Sequence, residues 1–94
     1  MSYVETNRAH WDGLADSYAV HARRHWAQTE PTWGNFAAPQ SRVPMLPADV
    51  AGADVLELGC GTGYVSAWAA RAGARPVGLD VSARQLATAR QMQQ

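Results

Sequence analysis

Three glycines at alternating positions follow a short apolar run that carries one acid, in Val55-Leu-Glu-Leu-Gly-Cys-Gly-Thr-Gly-Tyr64. A second apolar run, Pro76-Val-Gly-Leu-Asp80, closes on a carboxylate. A chain that leaves a strand and turns straight into a helix needs residues that tolerate positive φ and leave space above the backbone, which glycine supplies. The amides at the start of that helix then face a ligand, and the helix dipole favours negative or electron-rich groups there. Asp80 follows Gly59 at close to the spacing of about 20 residues at which a carboxylate meets ribose hydroxyls in dinucleotide folds. A carboxylate only accepts hydrogen bonds, so it suits a pair of hydroxyl donors. The pattern is that of a βαβ unit built to hold the adenosine part of a cofactor.

The elements that must position these residues are legible nearby. Parallel strands covered on both faces read as continuous apolar runs, and a first strand over about 54–58 and a second over about 75–79 fit that texture. Between them the spacing predicts a helix over about 62–72, with Val65, Trp68, Ala69 and Ala72 on the face that packs on the sheet and Gly73 as its C′ residue. Ser82-Ala-Arg-Gln85 has the spacing of a capping box and opens a last helix. Upstream, Trp11, Leu14, Ala15, Tyr18 and Ala22 recur at helical spacing, which predicts a helix over about 7–28 with Asn7 as N-cap, weakened at Gly13 by about 1 kcal/mol. Pro31, Pro39, Pro44 and Pro47 make the stretch from Thr29 to Gly52 a connection carrying Trp33 and Phe36, with room for a short helix that has Pro39 at its N1 position.

The bulk properties narrow the classes. A chain of 94 residues with 47% hydrophobic content is at most one ordinary globular domain. A formal charge of zero gives no basic footprint for nucleic acid or an acidic membrane. One cysteine excludes an internal disulfide and fits a reducing compartment. No secretory signal pattern opens the chain, and no apolar run approaches the ~18 residues of a membrane span. The expectation is a cytoplasmic protein.

The run Leu56-Glu-Leu-Gly-Cys-Gly-Thr-Gly, then Gly78-Leu-Asp-Val-Ser82 and Gln85-Leu-Ala-Thr-Ala-Arg90, resembles the first motifs of the class I S-adenosylmethionine-dependent methyltransferases, in their small-molecule branch. Asn7-Arg-Ala-His-Trp-Asp, continuing to Tyr18, resembles the cap helix of the same branch. The resemblance implies an α/β, Rossmann-like methyltransferase fold that is incomplete, with 1–52 as helical cap and Pro-rich connection and 53–94 as the first part of the cofactor-binding domain. It implies S-adenosyl-L-methionine as cofactor and a small-molecule methyl acceptor, with neither nucleic acid nor membrane as partner.

Carried over by the same resemblance, Gly59, Gly61 and Gly63 form the turn beneath the cofactor, and Cys60, Gly61 and Thr62 line it. Glu57 holds the ammonium group directly or through water, Asp80 holds both ribose hydroxyls, Val81 lies against adenine, and Tyr18 closes over the methionine end. The family's acidic loop after its third strand and its acceptor loop after its fourth have no counterpart in these residues. The expectations are therefore a sheet with one bare side, little or no activity in isolation, and a partner chain as one means of completing the sheet. No catalytic residue and no metal are expected.

Other readings compete. A nicotinamide-binding fragment shares the glycine logic, but that pattern wants Gly or Ala where Tyr64 stands. Glu57 as a purely structural acid is disfavoured, because an unpaired carboxylate near a sheet interior is costly. Cys60 as nucleophile lacks a nearby base in sequence, and a small side chain is what the turn requires. His21 and His25, four apart, lack a third metal ligand and read as solvent-facing, with His21 as general base a minor alternative. Trp11, Trp26, Trp33 and Phe36 read as packing, or as an aromatic lid over an apolar acceptor. A non-enzymatic remnant or interaction fragment is the alternative to a methyltransferase piece.

Overall fold

The computed structural model describes residues 2–94. Helix α1 spans Tyr3–Trp26 and starts four residues before the expected position. Its N-cap is Ser2, not Asn7: Ser2 Oγ accepts from the Glu5 amide at 3.2 Å, and Glu5 Oε2 accepts from the Ser2 amide at 2.8 Å. This reciprocal box satisfies two otherwise orphaned amides, which Asn7 inside the helix has no need to do.

The Pro-rich stretch holds a small antiparallel hairpin, β1 (Thr32–Trp33) and β2 (Ala38–Pro39), where a short helix beginning at Pro39 was the alternative. Pro39 has no N–H to give, and a two-residue edge strand asks none of it. A single turn follows, in which the Arg42 and Val43 amides both donate to Pro39 O at 2.9 Å. Gln40 then ties the loop down: its Oε1 accepts from Trp33 Nε1 at 2.9 Å, and its Nε2 donates to Leu46 O at 2.8 Å.

The βαβ unit is β3 (Asp54–Leu58), α2 (Tyr64–Arg71) and β4 (Arg75–Leu79), with the strands parallel and in register from Asp54 opposite Arg75 to Leu58 opposite Leu79. Ala69 of α2 is fully buried against Val50 and Ala74, with Leu46, Ala53 and Val55 around them. Of the expected covering face of α2, Ala69 is buried and Val65 and Trp68 are half-buried, whereas Ala72 is an exposed C-cap; Ala67 is buried as well. Helix α3 (Ala83–Met92) is capped by Ser82, whose Oγ accepts from the Gln85 amide at 3.2 Å. Ser82 Oγ also donates to Asp12, and Arg84 reaches the Asp12 carbonyl at 3.0 Å, so α1 and α3 are joined at the point where the second strand ends.

Helix α2 packs on one side of the sheet, and α1 packs in turn on α3 and α2. On the other side Leu56, Leu58, Val77 and Leu79 are between 51% and 75% exposed, which leaves four aliphatic side chains in water on one flat face. Among the described residues no helix is long and apolar enough to cross a membrane.

Candidate functional site

The glycine turn acquires its shape from backbone conformations that L-residues rarely adopt. Gly59, Gly61 and Gly63 have φ of 66°, 54° and 80°, and Gly63 is the N-cap of α2. With no side chain above Gly59 and Gly61, the floor of the turn is bare peptide. The tip of β4 closes on it. Asp80 Oδ2 accepts from the Gly61 amide at 2.8 Å, and Asp80 Oδ1 accepts from the Ser82 amide at 2.9 Å. Two of the roughly four acceptor positions of that carboxylate are thereby used, and the rest remain for ligand hydroxyls.

Above this floor lies a cavity of about 1040 Å³. Its floor is Gly59 to Thr62 with Leu79, Asp80 and Val81; its walls come from α1 (Trp11, Tyr18, His21, His25) and from the hairpin (Thr32, Gly34, Asn35, Ala37). The volume matches an upper-range small-molecule site. Gln85 is only 3% exposed, contributes to the same lining, and its Oε1 has no hydrogen-bond partner. A buried acceptor left unpaired costs about 1–3 kcal/mol, which a ligand donor would recover.

Seven of the nine sequence-derived residues thus meet at one cavity: Tyr18, Gly59, Cys60, Gly61, Thr62, Asp80 and Val81. Two do not line it. Glu57 turns to α2, where its Oε1 accepts from the Ser66 amide at 2.9 Å and from Ser66 Oγ at 2.6 Å. Gly63 faces Ala89 and Trp26, which a Cβ there would meet at 3.4 and 3.5 Å. Cys60 is buried, and desolvation, followed by the charges of Glu57 and Asp80, pushes its thiol above the ordinary value. A thiol held protonated is a poor nucleophile, so the side chain is filler.

The site also contains residues outside the nine expected ones. His21 and His25 were placed in solvent; both remain exposed but line the cavity, stacked with ring centroids 6.2 Å apart. Arg24 donates to His21 Nδ1 at 3.0 Å. A guanidinium has no acceptor, so in this bond Nδ1 is the acceptor. Tyr64, noted in the sequence only for its size, joins three parts: its hydroxyl donates to Gln28 Oε1 at 2.5 Å and accepts from the Thr32 amide at 2.9 Å, while its ring meets His25 and Trp33 edge-on. The signal for the α1 wall was present as the spacing of Trp11, Tyr18, His21 and His25 on one helical face. The Tyr64 links carried no signal, since they depend on where the hairpin lies.

Residues 55–94 match the family model described as Methyltransferase domain. This segment is similar to methyltransferase domains. The matched segment runs from β3 through α3 and includes the glycine turn and Asp80, while α1 and the hairpin lie outside it. Neither the curated proteins nor the solved structures give a match. Among the described residues no group of three or more His, Cys, Asp or Glu could hold a metal.

Proposed function

We propose that the chain binds S-adenosyl-L-methionine in this cavity, as the cofactor-holding part of a cytoplasmic methyltransferase that acts on a small molecule. The observation that carries the reading is the 2.8 Å bond from the Gly61 amide to Asp80, which puts a carboxylate with spare lone pairs on the rim of a side-chain-free turn. The residues present fit the cofactor. Asp80 would take the ribose hydroxyls, Gly59 and Gly61 would leave space for the nucleoside, Val81 would flank adenine, and Gln85 Oε1 supplies an acceptor that lacks a donor. Glu57 is committed to Ser66, so direct capture of the ammonium group is left to other residues.

When bound, the cofactor supplies an electrophilic methyl group on a sulfonium. The chain's own task is to hold the nucleoside on the floor and to exclude water with α1 and the hairpin. In-line transfer depends on strict alignment of donor and acceptor. A two-stranded sheet with one apolar face in water is a weak frame for that alignment, so turnover by these 94 residues alone should be very low.

Isothermal calorimetry with S-adenosylhomocysteine and NADH tests the reading. Binding of the former, with a melting transition that rises on its addition, is expected; ligand at 100 times Kd adds about 2.7 kcal/mol. Binding of NADH alone would overturn the reading. A second reading, an interaction fragment whose sheet another chain completes, is favoured by the bare face of Leu56, Leu58, Val77 and Leu79. Light scattering that shows a monomer, unchanged by Leu58→Lys, would dismiss self-association as its form.

A further inference from the structure

The ligand of the proposed site is unusual in carrying a fixed positive charge at the reacting centre, and the cavity offers few conventional means of holding it. Asp80 is the sole carboxylate among the lining residues, and both of its oxygens already accept backbone amides. Glu57 faces away, bonded to Ser66. What the α1 wall presents instead is aromatic. Trp11 and Tyr18 both line the cavity, 38% and 46% exposed, with ring centroids 5.8 Å apart and planes at 69°. The two rings meet edge to face, and in the notch beside that contact a cation would meet part of the negative π-face of each ring.

We infer that Trp11 and Tyr18 form a cation-selective corner that recognises the sulfonium of S-adenosylmethionine by its charge and so discriminates it from the neutral thioether S-adenosylhomocysteine. The inference rests on the cofactor assignment above and adds to it a specificity role for Trp11, a residue read from the sequence as packing. The corner also has a consequence for turnover: loss of the methyl group removes the charge, and the grip weakens at the product stage.

The test is the ratio of Kd for S-adenosylhomocysteine to Kd for S-adenosylmethionine, measured by calorimetry on the 94-residue chain. Sinefungin, in which a primary ammonium replaces the sulfonium, serves as a second cationic ligand. Trp11→Leu and Tyr18→Leu should each lower the ratio by about 2- to 30-fold, and lower the corresponding sinefungin ratio alike. Tyr18→Phe retains the π-face and should leave both ratios within twofold. Equal weakening of all three ligands by the leucine variants would reduce the corner to packing and overturn the inference, as would a full loss of selectivity in Tyr18→Phe. Should the leucine variants fail to fold, fluorinated tryptophan in place of tryptophan weakens the π-face without changing the shape; an unchanged ratio there overturns the inference equally. Failure of the parent reading is distinct, since the wild-type chain would then bind none of the three.

Discussion

Gly78→Ala is the substitution on which the geometry makes its sharpest statement. An ideal Cβ at position 78 would lie 2.7 Å from Cys60 Sγ and 2.9 Å from Cys60 Cβ, with Ser66 Oγ at 3.5 Å. Carbon atoms in contact sit at about 3.5–4.0 Å. The sulfur could swing aside, but Cys60 Cβ is fixed to the backbone, and the Cys60 amide donates to Leu79 O at 2.9 Å. Relief therefore requires strand β4 and the glycine turn to separate, which strains that bond. Overpacking of this kind costs about 1–3 kcal/mol. Without the clash, alanine inside a strand would instead stabilise by about 0.5–1 kcal/mol, so the sign alone is diagnostic. Urea unfolding followed by tryptophan fluorescence should show a lower midpoint for Gly78→Ala. Cys60→Gly removes both clashing atoms; in the double variant it should recover part of the loss, with a coupling of about 0.5–3 kcal/mol. Affinity for S-adenosylhomocysteine should fall in the single variant and return in the double, because the same turn floors the cavity. A midpoint that is unchanged or raised in Gly78→Ala, or a double variant that equals the sum of the singles, would refute the close approach of strand and turn.

Asp80→Asn should weaken S-adenosylhomocysteine binding by about 1.5–3 kcal/mol in calorimetry, because an amide cannot accept at both oxygens and must aim one donor at the Gly61 or Ser82 amide. Cys60 should alkylate with iodoacetamide more slowly than free cysteine near neutral pH, since burial raises its thiol. The folded state then holds that proton more tightly than the unfolded chain. Its contribution to stability is full below the unfolded thiol value of about 8.5 and is lost as pH rises through the folded value. A urea midpoint that drops above pH 9 in the wild type but less in Cys60→Ala is the expected outcome. Tyr64→Phe should lower stability by about 1–3 kcal/mol and speed amide exchange at Thr32 while leaving the β3–β4 amides protected. Equal protection of Thr32 in both proteins would contradict the link.

The floor of the site was readable from the sequence because its determinants are local. Glycines in an apolar context impose a turn on their own few residues, and an acid at the tip of the next strand falls beside that turn once two parallel strands are in register. The limits of β3 and β4, the end of α2 near Gly73 and the cap at Ser82 follow from the same short-range rules of φ, periodicity and capping. Even there a local alternative misled: Asn7 has good N-cap chemistry, but Ser2 with Glu5 satisfies two amides where Asn7 would satisfy one.

The walls were decided by tertiary structure. Whether Glu57 faces a ligand or Ser66 depends on how α2 docks over β3, and the hydroxyl of Ser66 settles it. Whether His21 and His25 meet solvent or a cavity depends on where the Pro-rich hairpin folds back, and Tyr64 fixes that through Gln28 and Thr32. The Tyr64 contacts join segments more than 30 residues apart, and all of these bonds are formed by groups that have many polar partners to choose from. Sequence spacing fixes which residues share a face of one element, while the packing of separate elements decides what that face confronts.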